Sequence, residues 1–203
     1  MRLIPPLAAA VSALTLAACE PADTQTPPAQ TEPAENTTAP AADPDALTPE
    51  GWRTLRVGMT RAEVEAAMGP NASPYAPGEE AEICDQILPA QAPEGMVVML
   101  GDGVLSRISV SEPSTLVTAD GFGVGSSAAE IKAFYGDRAV VSRHAYNEPP
   151  AEDIFVWDGA RPTSNEYIHD TTRRGIRYEI GADGNVLLVH VGGTDIQLVE
   201  GCS

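Results

Sequence analysis

The sequence predicts an α+β fold of two tandem repeats, each a short helix followed by an antiparallel β-meander, with the helices on one face of a joined sheet. Two internal alignments and their order carry this prediction. The stretch Val57 to Gly69, VGMTRAEVEAAMG, matches Val124 to Gly136, VGSSAAEIKAFYG, without gaps at an offset of 67. Asp102-Gly103 and Asp183-Gly184, each between apolar runs, then follow at an offset of 81. Self-similarity in a fixed order marks units that stack to bury a shared core.

The chain opens MRLIPPLAAAVSALTLAAC, with Arg2 as its one charge and an apolar run from Leu3 to Ala18. That run is shorter than the roughly 20 residues of a membrane-spanning helix, and Pro5 and Pro6 interrupt it, so residues 1–18 read as a secretory signal peptide. From Glu20 to Glu50 there are seven prolines and seven acids, with no base and no aromatic. Such a stretch cannot bury a core, and residues 19–50 read as a disordered tether spanning on the order of 30 Å. Residues 51–118 form repeat 1 and 119–203 repeat 2.

Within each repeat the helix has both its ends marked. Thr60 with Glu63, and Ser127 with Glu130, have the spacing of a capping box, and Gly69 and Gly136 suit a left-handed stop. Val64, Met68, Ile131 and Phe134 recur at helical spacing and are expected to face the sheet. The Asp-Gly pairs close hairpins between 96–100 and 104–110, and between 176–180 and 185–191. Further strands are expected over 82–88, 140–146 and 153–157. The second copy is about 14 residues longer, an extra strand and loop around Asp153 to Asp170. The two sheets are expected to join near Glu112 to Gly121.

Twelve basic residues face 29 acidic ones, a net charge of −17, of which residues 51–203 carry −11. An acidic body has no electrostatic footprint for nucleic acid or for anionic lipid headgroups. The residues of catalytic interest are scattered. His144, His169 and His190 show no metal-ligand spacing. Asp102 and Asp183 sit in glycine turns without the alternating oxygens of a calcium loop. Gly121 to Gly125 lacks the lysine of a phosphate loop, and Ser126 and Ser127 lack a nucleophile-elbow setting. No cofactor and no metal is expected, and the chain reads as non-enzymatic.

Leu16-Ala17-Ala18-Cys19 resembles the bacterial lipobox. The resemblance implies lipidation of Cys19, a palmitate-type anchor, and a place in the cell envelope, with Glu20 favouring the periplasmic face of the outer membrane over the inner membrane. Cys84 and Cys202 then remain in an oxidising compartment, where two cysteines pair. The doubled Val-Gly-x-x-x-x-Glu helix with its meander resembles the β-lactamase-inhibitor-protein fold, and a single copy is similar to the SmpA/OmlA/BamE outer-membrane lipoproteins. Both resemblances imply a protein-binding role, suggesting outer-membrane maintenance, with inhibition of a secreted or envelope enzyme as the alternative. In 153–157, alternation makes both strand faces apolar, and Trp157 with Arg177 and Tyr178 is the candidate partner-binding patch; a core role for Trp157 is the competing reading.

Overall fold

A computed structural model describes residues 43–74, 78, 80–162 and 167–202. The signal peptide, Cys19 and the tether as far as residue 42 lie outside the described residues. The elements are β1 (Gly51–Trp52), β2 (Leu55–Arg56), α1 (Arg61–Met68), β3 (Cys84–Ile87), β4 (Met96–Gly101), β5 (Val104–Ser111), α2 (Ala128–Tyr135), β6 (Val140–Arg143), β7 (Glu152–Trp157), β8 (Gly175–Ile180) and β9 (Val186–Gly192). Strands β3 to β9 make one seven-stranded sheet in the order β3-β4-β5-β9-β8-β7-β6, antiparallel throughout. The fold is therefore α+β, with a predominantly β core.

The local signals act as their chemistry dictates. At α1, Thr60 Oγ1 accepts from the Glu63 backbone N–H and the Glu63 carboxylate accepts from the Thr60 N–H, a complete capping box. At α2, Ser127 Oγ accepts from Ala129 N–H alone, a simple cap in place of the expected box. Gly69 and Gly136 both end their helices at positive φ, 82° and 53°, but with ψ of 168° and −127° they lie in the glycine-only region beyond the left-handed helical one. Asp102 and Gly103, both at positive φ, make the two-residue turn between β4 and β5.

Three expectations are corrected. The body begins earlier than residue 51: Leu47 is fully buried, its N–H donates to Val117 O, and its carbonyl accepts from Ala119 N–H. The Trp52 indole N–H also donates to the Asp45 carbonyl at 2.8 Å. One buried leucine outweighs its proline-rich surroundings, which an average over the whole tether conceals. Phe134 does not face the sheet, being 54% exposed, and Tyr135 is buried in its place. Finally, the sheet is not joined at Glu112 to Gly121. Its central pairing is β5 with β9, in which Ser109 stands opposite His190.

Strand register divides the sheet side chains into two sets. Ile154, Val156, Ile176, Tyr178, Val189, Val191, Ile108, Val110 and Val98 fall on one face and belong to a single buried apolar cluster. Val64 and Met68 of α1 and Ile131 and Tyr135 of α2 belong to the same cluster. The opposite face presents Met99, Arg107, Ser109, His190, Arg177, Glu179, Asp153, Phe155 and Trp157.

Candidate functional site

The second face is covered by the chain's own C-terminal segment. After β9, a 3₁₀ turn over Thr194–Gln197 carries the backbone back across the sheet to Cys202, which is disulfide-bonded to Cys84 on the edge strand β3. Two strand arginines hold this strap by its carbonyls. Arg107 Nη1 donates to Leu198 O at 2.8 Å and to Asp195 O at 3.2 Å, and Arg177 Nη1 to Leu198 O at 3.1 Å and Ile196 O at 3.4 Å. Gly175 makes room for the crossing: a Cβ there would stand 2.9 Å from the Trp157 ring and 3.2 Å from Ile196 Cδ1.

Beneath the strap lies a buried ionic network. Arg177 Nε donates to Asp153 Oδ1 at 2.9 Å and its Nη2 to Glu179 Oε2 at 3.2 Å. Glu179 also faces both buried histidines, His144 Nε2 at 3.3 Å and His190 Nε2 at 3.5 Å. The second distance is too long for a hydrogen bond. The carboxylate fixes the tautomers: with the proton on Nε2, His190 Nδ1 accepts from the Ser109 hydroxyl at 2.8 Å, and His144 Nδ1 accepts from the Tyr146 and Asn147 N–H groups.

Burial pushes the Glu179 carboxyl up, but the facing His190 and the Arg177 charge outweigh it and hold it at about 2. Burial, joined by the charges of Arg107 and Arg177, lowers His190 to about 4 against the pull of Glu179. At neutral pH the pair is thus carboxylate and neutral imidazole. Arg107 is lowered to about 10, first by burial and then by Arg177. Burial raises the Asp153 carboxyl against the opposing effect of Arg177.

Ser109, His190 and Glu179 stand in hydroxyl–imidazole–carboxylate order. The hydroxyl is buried, and neither of the two hollows described next is lined by it. Its proton satisfies His190 within the sheet, the position of a group that holds strands together.

At the end of this face, over β6 and β7, the strap leaves a cavity of about 260 Å³. Phe155 and Trp157 line it as parallel rings 6.1 Å apart, and Asp153, Arg143, Tyr167, Gln197 and Val199 are among the other residues of its walls. Two neighbours are tied in place by the network and the strap. Tyr146 follows the His144 turn and donates its hydroxyl to Glu200. Tyr167 precedes Ile168, whose N–H and carbonyl both pair with the Gln197 amide. Tyr146, Tyr167 and Val199 are three of the eight large hydrophobic residues exposed among the described residues. A second, open hollow between α2 and β6 is lined by Lys132, Arg143, Glu152 and Asp183, two charges of each sign.

The candidate patch named from the sequence divides. Trp157 and Arg177 lie on the strapped face, both buried, and Trp157 lines the cavity. Tyr178 follows Arg177 in β8 and so faces the other way, into the apolar cluster, where its hydroxyl meets Tyr135 Oη at 3.0 Å and Thr118 Oγ1 at 3.1 Å. Cys84 and Cys202 form the expected disulfide. Cys19 lies outside the described residues. Sequence reasoning missed Arg107, Asp153, Glu179 and the two tyrosines. A signal existed for the first three, since each is a charge inside or beside an apolar strand.

No family model matches the chain, and no curated protein or solved structure matches it either.

Proposed function

We propose that the chain is a lipid-anchored bacterial envelope protein, held by Cys19 on the outer membrane, whose body is a non-enzymatic protein-binding module built from two repeats. The observation that carries the binding role is the aromatic cavity, whose lining includes the exposed Tyr167 and Val199 and whose Ala145 is followed by the exposed Tyr146. Tyrosine and tryptophan at a small pocket are the residues on which protein interfaces concentrate their energy. The polar groups nearby are committed to one another and to the strap, which favours recognition over catalysis.

Matched hydrogen bonds support the repeat. Gly58 N–H donates to Leu105 O and Leu105 N–H to Met59 O; Gly125 N–H donates to Val186 O and Val186 N–H to Ser126 O. These bonds tie the start of each helix to the last strand of its copy. The offset of 81 also carries Ser109 onto His190, its own cross-strand partner, as expected where two copies meet about a local two-fold axis. In this arrangement both helices cover the apolar face and the strap covers the other.

The test is site-specific photo-cross-linking in living cells from Tyr167, with Ile83 near the opposite sheet edge as the control position. A single protein captured from Tyr167 and not from Ile83, and bound in pure form about tenfold more weakly by a Tyr146→Ala/Tyr167→Ala variant, is the expected result. A partner captured equally from both sites, or one that binds the variant unchanged, overturns the assignment. If the captured partner is an enzyme whose activity falls on binding, the module is an inhibitor.

A further inference from the structure

The lining of the cavity discriminates among ligand chemistries. Pockets that enclose whole small molecules run to ~300–1,000 Å³, so a cavity of about 260 Å³ suits one side chain. Its walls are the stacked rings of Phe155 and Trp157, with Tyr167, and the residues that line it include Asp153 and Arg143. Aromatic faces attract cations, more strongly where water is excluded. Asp153 already accepts from Arg177 Nε through Oδ1, so a purely apolar occupant adds nothing to it where a cation would, and an acidic one would meet Asp153 with Glu179 beside it.

The cations already present do not reverse this preference. Arg177 is committed to Asp153, Glu179 and the strap, and Arg107 to the carbonyls of Asp195 and Leu198. Arg143, at the rim, is largely exposed and lies 3.8 Å from Glu148. Because Arg177 already stands 5.8 Å from the Phe155 centroid, a second cation would draw mainly on Trp157, Tyr167 and Asp153. The net −11 of residues 51–203 favours encounter with a basic surface.

We infer that the cavity receives a lysine or arginine side chain from a basic surface of the partner protein, its stem along Phe155, Trp157 and Tyr167 and its charge toward Asp153. This rests on the docking role proposed above and specifies which residue type the partner inserts. The full chain, labelled with ¹⁵N, is titrated with blocked Gly-Arg-Gly and Gly-Lys-Gly peptides, with the neutral Gly-norleucine-Gly, and with tetramethylammonium as a small free cation. A basic peptide should give saturable shifts at the amides of Phe155, Trp157 and Tyr167 and bind about fivefold more tightly than the norleucine peptide. Tyr167→Ala should weaken it about threefold without changing the melting temperature. Asp153→Asn should abolish the preference for charge; Tyr167→Ala decides the matter if that variant fails to fold. Equal binding of the norleucine peptide, shifts mapping elsewhere, or an unaffected Tyr167→Ala would overturn the inference. Tighter binding of tetramethylammonium than of either basic peptide would overturn the side-chain source and assign the cavity to a small quaternary ammonium. Since no partner protein enters this titration, its failure leaves the cross-linking test of docking untouched.

Discussion

The two faces of the one sheet are held by opposite means. On one, Val64, Ile131, Tyr178, Val189 and their neighbours exclude water by area alone. On the other, Arg107, Asp153, Arg177 and His190 are equally hidden, and Glu179 nearly so, but they keep their charges or polar atoms, and the strap that covers them is held through its main-chain carbonyls. An apolar face tolerates any packing of about the right volume, whereas a buried ionic face is only as stable as its least satisfied member. Here that member is visible: Arg107 Nε and His190 Nε2 have no hydrogen-bond partner among the described residues. The contrast teaches that the strapped face is the one sensitive to pH and to reduction.

The largest effect should come from charging the apolar face. Ile131→Asp would bury an unpaired carboxylate at a fully enclosed site and cost on the order of 5 kcal/mol, enough to unfold the domain. Phe134→Asp, 54% exposed but with its ring edge-on to Phe122 and Tyr135, should cost far less, about 1–2 kcal/mol, in the same urea titration. Comparable losses in the two variants would show that the helix register is misassigned.

Next comes the heart of the ionic face. Arg177→Met removes the guanidinium that Asp153 and Glu179 share, leaving two buried carboxylates, and should cost about 3–5 kcal/mol. A shift of the urea midpoint no larger than that of a surface variant would mean that the network contributes little. Removing the strap's covalent anchor with Cys84→Ala/Cys202→Ala should cost about 2–5 kcal/mol, because the bond closes a loop with a sequence separation of 118. Limited proteolysis should then cut first after Gly193, and a strap that stays resistant would show that its arginine contacts suffice alone.

The last effect is a pH dependence with a definite sign. His190 is at about 4 when folded against an ordinary 6.5, so between these values the unfolded chain binds a proton that the folded one does not. Stability is therefore full above about 6.5 and falls as the pH drops toward 4, by about 3 kcal/mol. Glu179, at about 2 against 4.5, adds a further loss of the same sign at still lower pH. Urea midpoints measured from pH 7.5 to 4.0 should decline in the parent chain and decline less in His190→Gln. Parallel declines would assign the acid sensitivity to other groups.

Much of the architecture was legible because it rests on local chemistry. Thr60 with Glu63, the glycines after each helix, and Asp102-Gly103 make the same bonds in any chain that presents them at that spacing. The disulfide was legible for a different reason: two cysteines in the body leave one pairing. The candidate site was mostly illegible. Trp157 and Arg177 reach the right face by alternation, but Tyr178 was assigned to a surface from which that same alternation excludes it. Tyr146 and Tyr167 carry no periodic signal, since their positions depend on a His144 turn and a Gln197 amide bonded to residues far along the chain.

By itself, then, the sequence determined the element types, the turns, the acidic balance and the covalent link, all of which depend on neighbours within a few residues or on simple counts. Only the tertiary structure decided that β5 would lie beside β9, that residues 193–202 would return over the polar strand face, and that an aromatic cavity would remain at its end. Those outcomes come from pairings well separated along the chain, from Arg177 with Leu198 to Ser109 with His190 and Arg107 with Leu198. Their free energy depends on which partners the whole chain brings together, and no local pattern encodes it.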